Sequence, residues 1–152
     1  MDAPAPIARL LAMAYRSLMD DLHQRLREQG WDDVRPAFGF VLLAARAEPT
    51  TAGELALLMG TTKQAAAKLV GVMEEGGYLE RSVSGTDARR RRIALSARGR
   101  SLLSAVEAIY ADLEAGWAAT IGTRGVEGLR TDLTAVMLAR NGGALPAVRP
   151  TW

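Results

Sequence analysis

Residues 51–98 hold two short apolar-periodic segments separated by one glycine, followed directly by two strand-like runs with an arginine cluster between them. Thr51 and Glu54 have the spacing of a capping box, in which each side chain accepts from the other residue's backbone N–H. They open a short helix, TAGELALLM, with Leu55, Leu58 and Met59 expected inward. Gly60 supplies a sharp turn. Thr61 and Gln64 repeat the box spacing and open a second helix from Thr62 to about Glu75, which Gly76-Gly77 ends. Two capping boxes so close together, with a glycine between, specify two short helices joined tightly. Tyr78–Val83 then reads as a strand. Ser84-Gly85-Thr86-Asp87 has turn chemistry, and Arg91–Leu95 reads as the returning strand.

Helix, turn, helix and basic hairpin in this order make a winged helix-turn-helix, with one helix for a major groove and a hairpin for an adjacent groove. At about 100° per residue from Lys63, Ala65, Ala66, Leu69, Val72 and Met73 form the apolar face of the second helix. Lys63, Gln64, Ala67, Lys68 and Gly71 occupy the opposite face. That face is polar at its start and otherwise stripped of bulk, so a groove could approach the backbone closely. Glutamine can read adenine, and lysine can reach guanine or phosphate. The free N–H groups near Thr61 and Thr62 can hold a phosphate. An ordinary surface helix with two lysines has the same pattern, and it is the hairpin that separates the readings.

In that hairpin Arg89, Arg90, Arg91 and Arg92 are consecutive. Strand residues alternate between faces, so at most half of these could share a face with the core. The rest repel one another unless an anion is near. Asp87, two positions before Arg89, can pair with it across the turn. Arginine gains from the deepened negative potential of a narrow minor groove. A solvated charge run guarding an edge strand is the plainer alternative.

The charge distribution agrees with an anionic partner for this segment. Residues 1–50 hold 6 arginines against 7 acids, residues 51–100 hold 9 basic residues against 5 acids, and residues 101–152 hold 4 arginines against 5 acids. The net +2 of the chain therefore comes wholly from its middle third. There are no cysteines, which excludes disulfides and thiolate metal sites, and one histidine, His23, cannot build a common metal cluster. No cofactor is expected. Enzyme activity is not expected either, since neither a Ser-His-Asp order nor a glycine-rich phosphate loop is present. No apolar run approaches a membrane span of about 18 residues, and the N-terminus lacks the pattern of a secretory signal. The expectation is a cytoplasmic protein without a membrane partner.

The flanks read as helices. From Pro6 to Glu28 apolar residues recur with a period near 3.6 residues. Gly30 ends that helix, Asp32 or Asp33 is available to cap a second from about Pro36 to Arg46, and Pro49 stops it. Ser96 caps a long helix to about Thr120 with Leu102, Leu103, Val106, Ile109, Tyr110, Leu113 and Trp117 on one stripe. Thr123 opens a last helix ending near Asn141-Gly142. The fold expected is mainly α with a small β-wing. Its parts are an N-terminal dimerisation helix at 1–35, the winged helix-turn-helix at 36–96, C-terminal dimerisation helices at 97–141 and a frayed tail at 142–152.

The runs GELA, LLMGTTKQAAAKLV and GYLER, the Asp87-x-Arg89 pair and the I-x-L preceding Gly99 resemble the MarR family of bacterial transcription regulators. The resemblance is close over residues 51–99. The flanking helices fit in length and order, and the wing loop SVSGTD lacks a proline often seen there. The resemblance implies a homodimer held by the terminal helices that binds a pseudo-palindromic double-stranded DNA operator, acts as a repressor and is released by a small molecule. It implies that the helix from Thr62 to Glu75 enters the major groove, with Thr61, Thr62, Lys63, Gln64 and Lys68 as contacts. Arg89, braced by Asp87, would enter the minor groove, with Arg90 and Arg91 beside it. Family members often bind small aromatic effectors between the dimer helices and the winged helix. Tyr15, Met19, His23, Trp31, Phe38 and Phe40 could line such a cleft, or pack as plain core. A winged helix that binds protein without DNA is the alternative, and it would not need a wing so rich in arginine.

Overall fold

A computed structural model describes residues 4–82 and 92–146. The elements are α1 (Ile7–Glu28), α2 (Phe38–Ala44), α3 (Ala52–Met59), α4 (Lys63–Glu75), β1 (Leu79–Ser82), β2 (Arg92–Leu95), α5 (Ala97–Ile121) and α6 (Thr123–Arg140). The fold is mainly α with a small antiparallel sheet pairing Leu79 with Leu95 and Ser82 with Arg92. Thr50 adds a short bridge to this sheet, exchanging backbone hydrogen bonds of 2.7 and 2.8 Å with Ile93.

The first capping box forms as its spacing requires. The Thr51 side chain accepts from Glu54 N–H and the Glu54 carboxylate accepts from Thr51 N–H. Thr50 also donates to that carboxylate, at 3.0 Å. These hydrogen bonds hold the Glu54 carboxyl below the usual carboxylate range, Thr50 first and the Thr51 amide next. The second box does not form. Thr62 is the N-cap of α4, accepting from Ala65 N–H at 3.1 Å, which leaves Gln64 free of a capping role. The reason lies in the turn. Gly60 sits at φ 60°, and Thr61 N–H is already committed to the Ala56 carbonyl, so the chain turns into α4 one residue later than the spacing suggests.

Inward faces follow the helical period with a shift in α3 and another in α4, where Val70 is buried and Ala65 and Val72 are half-buried. In α3 the buried residues are Leu55, Ala56 and Met59, whereas Leu58 is half exposed. Alanine thus faces inward where leucine was expected, because α4 packs closely against α3 there. In α4 Ala66, Leu69, Val70 and Met73 are buried. Burial of each leucine or methionine is worth about 1.5–3 kcal/mol, so this face holds α4 rigidly and leaves its other side to solvent. Helix α2 is shorter than its apolar pattern, and no side chain caps it. Asp33 is used elsewhere, accepting from the Tyr78 hydroxyl.

That hydroxyl belongs to the cluster joining the winged helix to the long helices. Gly77, at φ 78°, lets Tyr78 N–H close onto the Met73 carbonyl and aims the Tyr78 ring into the core. The ring lies 5.7 Å from Phe38 and 6.2 Å from Trp31 between centroids. The Arg98 guanidinium sits over both Trp31 and Tyr78, at 5.2 and 4.8 Å, and donates to the Tyr78 oxygen at 3.2 Å. Burial and the Asp33 hydrogen bond push the tyrosine pKa up. Ser96, the N-cap of α5, donates to the Gly77 carbonyl and accepts from Gly99 N–H.

Beyond this core, α5 buries Leu102, Leu103, Val106, Ile109 and Leu113, and the last turns of α1 bury Leu22 and Leu26 against it. The first turns of α1 are bare, with Ile7 at 73% and Leu10 at 51% exposure, and α6 buries nothing. Among the described residues no helix is long and apolar enough to cross a membrane, and no cluster of histidine and acidic side chains could hold a metal.

Candidate nucleic-acid interface and ligand cavity

The outer face of α4 carries Lys63, Gln64, Ala67 and Lys68, all exposed. Thr62 is exposed beside them and Thr61 is half-buried in the turn. The first turn of α4 holds no acidic residue, so the partial positive charge of the helix start adds to the two lysines rather than being neutralised. Gly71 continues this face one turn on, and a Cβ there would meet nothing within 4 Å. The face is therefore positive at its start, flat along its length, and backed by a fixed core.

The nearby arginines are not equivalent. Arg81 pairs with Glu74 at 2.8 Å. Arg92 donates to the Pro49 carbonyl at 3.0 Å, so the last member of the four-arginine run turns back onto the protein. Asp87, Arg89, Arg90 and Arg91 lie outside the described residues, as does the turn at 84–87. Arg35, absent from the sequence-derived set, lines a groove with Ala65, Lys68 and Leu69 of α4. Only its position just after the α1–α2 turn could have pointed to it.

A second feature is a cavity of about 260 Å³ between α1, the start of α2 and α5. Tyr15, Met19 and His23 reach it from one face of α1, where spacings of four residues stack side chains. Phe40 and Gly39 bound it from α2, and Tyr110 from α5. Trp31 and Phe38, expected in such a cleft, do not line it. Their rings pack on Tyr78 instead, because the chain turns at Gly30 and carries Trp31 away from the α1 face. Arg35 and Glu107 also line it, and Glu107 pairs with Arg46. Desolvation, and then Tyr15, push the Tyr110 hydroxyl pKa up. Burial, and next the Arg27 charge, push His23 below the ordinary histidine value, against a hydrogen bond with the Val34 backbone and the Asp20 carboxylate. His23 Nε2 is buried without a partner.

Two tightly joined helices, the second positive at its start, and a paired strand at the wing root define a winged helix-turn-helix. Residues 35–90 match the model of the MarR family. The chain is similar in fold to a single-residue mutant of S. aureus MepR bound to an oligodeoxyribonucleotide, with 20% identity over 90% of this chain and 99% of that one and a TM-score of 0.60. It is similar also to the MarR family protein Rv2887 of Mycobacterium tuberculosis. The DNA complex gives 22% identity over 88% and 98% of the two chains with a TM-score of 0.66, and the salicylic acid complex 22% over 90% and 99% with a TM-score of 0.65. Among curated proteins none matches. The match to the family model thus covers residues 35–90, and the chain as a whole shares the fold of these structures.

Proposed function

We propose that the protein is a MarR-type regulator that binds a pseudo-palindromic operator as a homodimer, represses transcription from it, and is released when a small molecule fills the cavity beside α1. The observation carrying DNA binding is the free face of Lys63, Gln64 and Lys68 on a helix whose other side is locked in the core, within the segment that matches the family. In this reading Gln64 and Lys63 meet base edges, Lys68 meets phosphate, and the N–H groups at Thr61 and Thr62 receive a second phosphate. Arg89, braced by Asp87, enters the minor groove with Arg90 and Arg91 on the backbone. Residues 1–35 and 97–141 supply the dimer contact, a role supported by the bare apolar side chains of α1 and α6. Pairing two chains sets two recognition helices at half-site spacing.

The DNA-bound MepR and Rv2887 structures support the first part, and the salicylic acid complex of Rv2887 supports a small-molecule effector. The test is to select a duplex from the region upstream of the protein's own gene and measure binding of variants. Gln64→Ala should lose about 1–3 kcal/mol at one base position per half-site and relax preference there. Arg89→Ala should weaken binding with fold and oligomeric state unchanged. Unaltered preference in the first variant and unaltered affinity in the second would refute the assigned contacts.

A further inference from the structure

The exposed face of α4 is bordered by a different groove on each flank. On one flank Lys63, Ala67 and Val70, which lie within about 60° of one another around the helix axis, meet Leu57 of α3, Arg81 of β1 and Ile93 of β2. On the other flank Ala65, Lys68, Leu69 and Val72, which lie between about 140° and 240° from Lys63, meet Arg35 from the loop before α2. The wing root therefore stands on one side of the recognition helix, and Arg35 stands on the other.

Arg35 is held at that place by its backbone. Its carbonyl accepts from Phe38 N–H at 3.0 Å, and Ala37 and Phe38 are buried. Its side chain is exposed, and among the described residues it forms no ion pair. Two acids near it are already engaged. Asp33 accepts from the Tyr78 hydroxyl, and Glu107, on the cavity that Arg35 also borders, pairs with Arg46. Lys68 is likewise exposed and forms no ion pair among the described residues. The acids of α4 itself, Glu74 and Glu75, come at its last turn, and Glu74 is taken by Arg81. Arg35 and Lys68 thus line one groove that no carboxylate lines. Two like charges so placed repel until an anion comes between them.

A helix seated in a major groove supplies that anion. The groove is about 12 Å wide and a helix with its side chains about 10–12 Å across, so the flanks of the helix meet the two sugar–phosphate walls. An arginine fork matches a phosphate and can hold it by two parallel hydrogen bonds. Resting on the DNA-binding reading above, we infer that Arg35 grips a backbone phosphate on the wall of the major groove away from the wing, beside the phosphate held by Lys68. Each half-site is then clamped on both sides of α4. The contact adds affinity and fixes the docking angle of the helix, and it carries no base preference.

The experiment uses the full-length protein and the selected duplex, with a scrambled duplex of equal length beside it, across a range of salt concentrations. Arg35→Gln should bind both duplexes at least about tenfold more weakly, as loss of a charge-assisted hydrogen bond requires. It should also lose about one unit of salt slope per protomer contact. The ratio between the two duplexes should stay that of the parent. Arg35→Lys keeps the charge and should keep the slope. Phosphate ethylation interference should show a protected phosphate on the wall away from the wing for the parent, and Arg35→Gln should lose that signal alone. Thermal unfolding of Arg35→Gln should match the parent, since the side chain is exposed. Parental affinity and slope in Arg35→Gln overturn the inference. So does an unchanged ethylation pattern, or weaker binding accompanied by a lowered Tm and a parental slope, which would make Arg35 structural. A parent that binds no duplex at all defeats the DNA-binding reading and this contact with it. A parent that binds, with Arg35→Gln its equal, defeats this contact alone.

Discussion

Gly99→Ala should be among the most damaging single-methyl additions in the chain. A Cβ at Gly99 would run into the Tyr78 carbonyl oxygen at a separation no folded protein tolerates, with the carbonyl carbon at 3.1 Å and Leu95 Cδ2 at 3.5 Å. The carbonyl cannot swing away freely, because it accepts from Ser96 N–H at 3.1 Å and its residue is fixed by the buried Tyr78 ring. Relief requires α5 to lift off the wing root. Overpacking of this kind costs about 1–3 kcal/mol. Loss of the Ser96 bond adds about 0.5–1.5 kcal/mol. The sum, roughly 1.5–4.5 kcal/mol, lowers Tm by about 3–18 °C in a chain of this size. Gly71→Ala is the matched control. It has the same composition change, sits within a helix, and its Cβ meets nothing within 4 Å. It should stabilise by about 0.5–1 kcal/mol through helix propensity alone. Thermal unfolding followed by circular dichroism compares the two. A Gly99→Ala protein as stable as Gly71→Ala would refute the close contact between α5 and the wing root.

Other outcomes follow from the same geometry. Thr51→Ala removes the N-cap of α3 and should cost about 1 kcal/mol in chemical denaturation. The Glu54 carboxyl is depressed in the fold, so its stabilisation is present above the ordinary carboxylate value and is lost as pH falls through its lower folded value. Glu54→Gln should flatten that part of the acid-unfolding curve. Arg98→Met removes the cation over Trp31 and Tyr78 and should lower stability by about 1 kcal/mol, with a changed Trp31 emission. Sedimentation at micromolar concentration should give about twice 16.3 kDa, and Leu10→Glu on the bare α1 face should shift the protein toward monomer.

Most of the helix-turn-helix was legible because its signals are local. The Thr51–Glu54 box, the glycine at 60 and the 3.6-residue period act within one or two turns, and all of them appear in the fold. The places where the reading slipped depend on partners distant in sequence. Thr62 rather than Thr61 caps α4 because the Thr61 amide is taken by Ala56. Leu58 is turned out and Ala56 in because α3 and α4 pack closely, which α3 alone does not reveal. Tyr15, Met19 and His23 meet at the cavity because they share one helix face. Trp31 and Phe38 pack on Tyr78, forty or more residues downstream, by a contact no local pattern encodes. Arg92 belongs to the same charge run as the wing arginines, and its bond to the Pro49 carbonyl, more than forty residues upstream, is a contact that the run does not reveal.

DNA recognition through α4 is tested most directly by fluorescence anisotropy of the parent and Lys68→Ala on the selected duplex across a range of salt concentrations. The parent's affinity should fall linearly with salt on logarithmic axes, as counterion release requires. Lys68→Ala should bind more weakly to every sequence and lose about one unit of slope per protomer contact. If parent and variant bind with the same affinity and the same slope, the exposed face of α4 does not touch DNA.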